Sequence, residues 1–171
     1  MADPFSDVQN CIWTVLNAST EFTALVPATM QQDLDGDGRK IAAMHGTPKY
    51  IRAAQVRIEP VGGTHDPQID SHSTVVTQGW LIQVQHKDER PTEELLPVKW
   101  AILRALSGQC LNASTMRALT WNSKAYVMDC RLREHQERYE ADGKRPGVWR
   151  TLWKFEVDFR FSTADLPPTV E

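Results

Sequence analysis

The most regular pattern of apolar and polar residues in the chain runs from residue 149 to residue 161. Every second position carries a bulky apolar side chain or Thr151, and the positions between are charged, with Leu152 as the one exception. Because strand side chains point to alternate faces, the pattern predicts a strand with one buried and one solvated face, about 40 Å long. The buried face comprises Trp149, Thr151, Trp153, Phe155, Val157, Phe159 and Phe161, and the charged face comprises Arg150, Lys154, Glu156, Asp158 and Arg160.

A second alternating run, at 126–133, predicts the partner strand of a long hairpin. Asp142-Gly143 lies between the two runs, and such a dipeptide is typical of a tight turn because glycine accepts positive φ. Folding the chain about this turn brings the apolar residues of both strands to the same face, as a correct register requires. The predicted cross-strand pairs are Met128–Val157, Cys130–Phe155 and Leu132–Trp153.

Between 134 and 146 the alternation fails and nearly every residue is polar. This segment has no apolar face to pack on a core, and Pro146 cannot donate to a strand ladder. We therefore predict that the end of the hairpin projects from the body as an arm (134–146). The arm mixes both signs of charge, which suits a contact between subunits better than a phosphate backbone. The candidate interface residues are Arg133, Glu137, Arg138, Tyr139, Lys144 and Arg145.

The remaining periodicities predict helices over 4–17, 20–26 and 92–107 and strands over 53–61 and 75–86. In the first helix, Val8, Ile12 and Leu16 form a stripe that faces the core. The helix at 92–107 is so rich in apolar residues that we expect it to be largely buried. Segment 29–50 is expected to be irregular, and 64–73 and 109–122 are expected to be loops.

This order of elements predicts an α+β fold: a mostly antiparallel sheet of about four strands, with helices packed on one face and a long C-terminal β-hairpin. A chain of 171 residues fits one domain, over 1–163, followed by a loose tail over 164–171.

Composition narrows the functional classes. The formal net charge of −3 argues against a dedicated nucleic-acid binder. The N-terminus does not resemble a secretory signal, and no apolar run approaches the roughly 20 residues that span a bilayer. Cys11, Cys110 and Cys130 form no CxxC motif, and we interpret Cys11 and Cys130 as buried thiols in a reducing compartment.

The candidate metal ligands and catalytic groups are sparse. Asp33, Asp35 and Asp37 with the glycine that follows match the opening of an EF-hand calcium loop, but Met44 stands where the bidentate glutamate belongs. A solvated Asp-Gly turn is the favoured interpretation, with structural calcium as the alternative. Zinc ligands are a weaker alternative in the cluster His65, Asp66, Asp70 and His72. The signatures of hydrolases, metalloproteases and nucleotide-binding enzymes are absent from the sequence, so we expect neither enzymatic activity nor a cofactor.

The layout of the chain resembles the tail terminator, or tail-completion, proteins of tailed bacteriophages. The similar features are an N-terminal helix, the strands Gln55-Val-Arg-Ile-Glu-Pro and Gly79-Trp-Leu-Ile-Gln-Val-Gln-His, a helix over 95–108, and a terminal hairpin ending in Trp153-Lys-Phe-Glu-Val-Asp-Phe-Arg-Phe. They extend over 4–162. The Asp33–Asp37 segment and the arm look like elaborations of that layout.

The resemblance implies a structural virion protein, assembled in the host cytoplasm, that forms a homohexameric ring in the tail or neck. Such a ring caps the tail tube protein, stops tube growth and joins the tube to the head–tail connector protein, while DNA passes through its bore without sequence recognition and no membrane is involved. The alternatives are another head–tail connector or neck protein, a minor tail-tube protein, and, from a different class, a calcium-binding module.

Overall fold

The computed structural model describes residues 4–33, 55–70, 73–87, 91–106, 115–119, 125–140 and 148–162. The helices are α1 (Pro4–Ala18), α2 (Thr20–Leu25), a 3-10 helix (Ala28–Met30), α3 (Pro91–Leu106) and α4 (115–119). The strands are β1 (Gln31–Asp33), β2 (Gln55–Asp70), β3 (Ser73–Lys87), β4 (Ala125–Glu140) and β5 (Val148–Ser162). The predicted α+β class is confirmed. Asp35, Asp37, Cys110 and the residues at 141–147 and 163–171 lie outside the described residues.

One sheet organises the described chain, in the order β1-β2-β3-β5-β4. The four long strands are antiparallel to their neighbours, as predicted, and the short β1 is parallel to β2. Strand β1 was not predicted, because three residues are too few to show an alternation. It is the edge strand on one side of the sheet, and β4 is the edge strand on the other.

The core lies between one face of this sheet and the helices. The predicted apolar face of β5 packs there: Phe155 and Phe159 are fully buried and Trp153 is nearly so. Trp80 of β3 pairs with Phe155 in the register and is equally buried. The predicted stripe of α1 is confirmed, and the ring of Phe5 lies edge-on to that of Phe159 at 5.4 Å.

The predicted hairpin register is wrong. Glu140 pairs with Val148, whereas a two-residue turn at Asp142-Gly143 would place it opposite Arg145. Two β-bulges, between Val127 and Asp129 and between Leu132 and Glu134, each add an extra β4 residue, so that Cys130 pairs with Val157 and Leu132 with Phe155. The first bulge turns Val127 to the core and leaves Met128 about one-third exposed. Alternation alone does not reveal a bulge, since each side of it still alternates.

The predicted projecting arm is also wrong for its described part. Strand β4 continues to Glu140 and stays paired with β5, while β5 is paired on its other side with β3 as far as Lys87. Residues 134–140 therefore form the edge of a sheet at least three strands wide. The polar sequence of this segment reflects its exposure, since residues 133–139 are all solvent-exposed.

The segment predicted as a loop after residue 63 is strand instead. Strand β2 runs to Asp70 and pairs with β3 up to Ser73, with a register shift at Val61/Gly63. Gly63 permits this close pairing, since a Cβ on Gly63 would lie 2.2 Å from the carbonyl oxygen of Thr77. Likewise, the region predicted as a loop over 109–122 contains the short helix α4.

Hydrogen bonds between polar side chains hold β1 against α1. Gln31 is buried, and its amide exchanges two hydrogen bonds with the amide of Asn17, at 2.7 and 2.9 Å. Gln31 also donates to the carbonyl oxygen of Val26 at 3.2 Å, so its buried polar atoms are satisfied. Ser19 accepts a hydrogen bond from the Phe22 backbone and caps α2.

Candidate subunit interface on the sheet

The sheet face opposite the helices is charged, as the alternation of β5 predicts. We call it the open face and define it by Asp129, Arg131, Lys154, Glu156 and Asp158. Asp129 and Asp158 are paired directly across β4 and β5, an arrangement that is unfavourable for like charges without a cation between them.

Arg131 supplies that cation. Its Nη1 donates to Asp129 Oδ2 at 2.6 Å and to Asp158 Oδ2 at 2.5 Å, and its Nη2 donates to Asp158 Oδ1 at 3.2 Å. The hydrogen bonds to Asp158 and then to Asp129 hold the pKa of Arg131 above its usual range. Thr77 donates to Asp158 from β3 at 2.6 Å, so the network ties three strands together. Arg133 completes it by binding Glu156.

A shallow depression of about 300 Å³ lies beside this network. Leu81 and Leu152 are half-buried at it, and Glu134, Gln136 and Lys154 line it as well. Leu152, the one exception in the alternation of β5, thus gives the open face an apolar spot. The depression brings together no nucleophile, base and orienting group of the kind that catalysis requires.

The structure distributes the predicted interface residues over both faces of β4. Arg133 contacts Glu156 on the open face, and Arg138 donates to Gln136 at 3.0 Å. On the helix side, Glu137 forms an ion pair with Lys99 of α3. Tyr139 lies 5.1 Å from the ring of Trp149 and is half-exposed.

Lys144 and Arg145, the other two predicted interface residues, lie outside the described part of the chain. The four that are described share one property, because they all belong to edge strand β4. Among the described residues, no strand pairs with the outer side of β4.

An exposed apolar surface on α3 was missed by the sequence analysis, which expected this helix to be largely buried. Leu95, Val98 and Ile102 face the core, but Leu96 is 46% exposed and Trp100 55% exposed. The signal was present in the spacing. Positions 95, 98, 102 and 106 form one helical stripe, whereas 96 and 100 are four apart on a neighbouring one.

The candidate metal ligands lie outside the described side chains, so both metal hypotheses stay predictions. Within the described residues there is no group of three or more His, Cys, Asp or Glu side chains that could hold a metal ion. The side chains of Asp33, His65, Asp66 and Asp70 and the whole of His72 lie outside what the structure describes. Of the helices described, none is long and apolar enough to cross a membrane.

The two described thiols are buried, as predicted. Cys11 and Cys130 are both free, and burial raises the pKa of Cys11 to about 11 and that of Cys130 to about 12. Neither thiol has the depressed pKa of a nucleophile or metal ligand, so both act as small core residues.

Comparison with known proteins gives a likeness of fold. No protein-family model matches the chain, and no curated protein matches it. The solved structures that share the fold include a chain from the virion of a native gene transfer agent particle. The two chains superpose with a TM-score of 0.55 at 12% sequence identity, and the match covers 89% of this chain and 93% of the other. The fold is therefore shared over most of both chains.

Proposed function

We propose that this chain is a structural protein of a phage-like virion, and that within it the chain is a tail terminator. In this role a ring of copies closes the tail tube and joins it to the head–tail connector protein. The observation that carries the proposal is the fold match to a chain of a virion, which extends over nine-tenths of both chains. The layout that resembles tail terminators supports the finer assignment.

The edges of the sheet support assembly into a ring. The β4 edge is unlike the β1–β2 edge, so a contact that joins them is head-to-tail. Strands β2 and β4 run in opposite directions, because three successive antiparallel pairings separate them. A neighbour related by rotation about an axis along the strands would therefore present its β2 antiparallel to β4, and a head-to-tail contact of this kind closes into a ring.

The same arrangement is consistent with a mechanical role. The open face balances its charges within the chain through Arg131 and Arg133, so DNA would find few free cations on this part of it. Because affinity for DNA depends on phosphate neutralisation by free Lys and Arg, DNA is expected to slide past such a surface without sequence recognition. The fold match to a structural assembly also fits our expectation that the chain is not an enzyme.

The mass of the assembled particle tests the ring directly. Six copies of the 19.4 kDa chain would weigh about 116 kDa, which light scattering coupled to size-exclusion chromatography resolves from other states. A six-fold ring is the expected result. A twelve-fold ring would favour a connector, and a monomer that binds calcium would favour the calcium-binding module.

A further inference from the structure

We propose that Leu96, Trp100 and Tyr139, which we call the α3 patch, are the apolar anchor of the contact between successive copies of this chain. The proposal rests on the ring proposed above and deepens it, by naming the residues that hold one copy to the next. The occupant of the patch is the β1–β2 side of the neighbouring copy.

The α3 patch surrounds a contact between α3 and edge strand β4. Lys99 pairs with Glu137 of β4, and its Nζ lies 5.9 Å from the ring of Trp153. Trp100 follows Lys99 in α3, and Leu96 lies one turn before Trp100. Tyr139 is two residues beyond Glu137 and hence on the same face of β4. The patch is thus continuous with the outer side of β4.

The exposed area of the patch is too small for an interface of its own. Three large side chains that are about half-exposed offer on the order of 300 Å². A stable interface buries about 800 Å² on each partner. A partner that covers the patch must therefore cover neighbouring surface too, and the adjoining surface is the outer edge of β4, which no other described strand covers.

The charges around the patch indicate a protein partner. Lys99 and Glu137 neutralise each other, and farther along α3 Arg104 pairs with Glu21 at 3.1 Å. Such a surface, with aromatic side chains at its centre and paired charges at its rim, has the composition of a protein–protein contact and not of a nucleic-acid site.

The register indicates which part of the neighbour reaches the patch. Glu137 pairs with Thr151, Thr151 with Val84 and Val84 with Val56, and Val56 in turn pairs with Gln31 of β1. Strand β1 therefore lies at the level of Glu137, on the opposite edge of the sheet. When copies join edge to edge without stagger, β1 of one copy arrives beside the α3 patch of the next.

The test compares Trp100→Gln with Leu119→Gln in the full-length chain, by light scattering over a dilution series. Both changes replace an exposed apolar side chain in a helix. Leu119 is 39% exposed and belongs to α4, whose Arg117 contacts Val127, ten residues along β4 from Glu137. Trp residues that become buried in a protein–protein interface are frequent hot spots. Trp100→Gln is therefore expected to raise the concentration needed for half-assembly at least tenfold. Leu119→Gln should change it less than threefold, and both variants should keep the wild-type thermal midpoint of the isolated subunit.

The outcomes separate the patch from the ring. Wild-type rings that Trp100→Gln leaves equally stable would overturn the α3 patch while leaving the terminator proposal standing. A wild-type dimer that Trp100→Gln dissociates would mean that the patch contacts the same patch of a second copy, and it would overturn both the ring and the β1–β2 side as the occupant. A wild-type chain that stays monomeric at every concentration, alone and with tail tubes, would overturn both.

Discussion

Replacing Arg131 with methionine removes the cation between two carboxylates that the sheet forces together. Methionine keeps much of the aliphatic stem and loses the charge. Arg131 binds both Asp129 and Asp158, and these carboxylates are directly paired across β4 and β5. Charge-assisted hydrogen bonds contribute about 1.5–3 kcal/mol when well protected, whereas exposed ion pairs contribute about 0.2–1 kcal/mol.

The Arg131 network lies between these limits, with the Arg131 side chain 29% exposed and that of Asp158 19% exposed. The unopposed carboxylates add a further repulsion of up to about 1 kcal/mol. We therefore expect Arg131→Met to lower the free energy of unfolding by about 2 kcal/mol, which corresponds to about 6 °C in the thermal midpoint of a domain of this size.

Urea unfolding followed by circular dichroism measures this loss, and a double-mutant cycle identifies its source. Adding Asp129→Asn to Arg131→Met removes the repulsion, so the double variant should be more stable than the sum of the single changes predicts. Salt should also restore part of the loss, because it screens the two carboxylates. Arg138→Met is the matched control, with an expected change within about 0.5 kcal/mol. An Arg131→Met variant as stable as wild type at low salt would refute the reasoning.

Two further predictions concern the sheet and the core. Gly63→Ala should destabilise the protein by about 1–3 kcal/mol, since its Cβ would overlap the Thr77 carbonyl oxygen. Gly62→Ala should be nearly neutral, because nothing lies within 4 Å of its Cβ. Thermal unfolding of both variants checks this, and equal midpoints would contradict it. With Cys110 replaced by serine, Cys11 and Cys130 should stay unreactive toward an aromatic disulfide reagent at pH 8 and react fully in urea. Their pKa values of about 11 and 12 leave little thiolate until the pH approaches those values. Rapid labelling of the folded chain would show this wrong.

The sequence predicted the parts of the fold that depend on repeated burial. The alternation of β5 and the stripe of α1 were readable because every member of the pattern meets the same core. The register of the hairpin was not readable, because the described ladder at the Glu140–Val148 pair is three residues out of step with a turn at Asp142-Gly143, and the bulges near Met128 and Arg133 each shift the register by one residue without disturbing the alternation on either side. Polar strand ends, such as β2 beyond Gly63, were predicted as loops because they lack an alternating apolar face. Cross-strand pairing with β3 extends the strand there, and the sequence pattern does not show such pairing.

The candidate interface was predictable only in part. Charges of mixed sign at 133–145 led to the interface prediction, and the described residues of that set lie on edge strand β4, whose outer side no other described strand pairs with. Glu137 contacts Lys99 on the helix side, whereas Arg133 contacts Glu156 on the open face. This difference depends on the bulge between Leu132 and Glu134, which changes the face that the later residues occupy. Trp100 is exposed because another stripe of α3 packs on the core. The apolar content of the helix alone does not determine which stripe is buried.

Negative-stain imaging of tail tubes assembled with and without this chain shows whether the chain ends tube growth. We expect tubes of limited length with a single six-fold ring at one end when the chain is present, and continued growth with bare ends when it is absent. Tubes that grow equally long in both samples, or that carry the chain along their whole length, would contradict the assignment of this protein as a tail terminator.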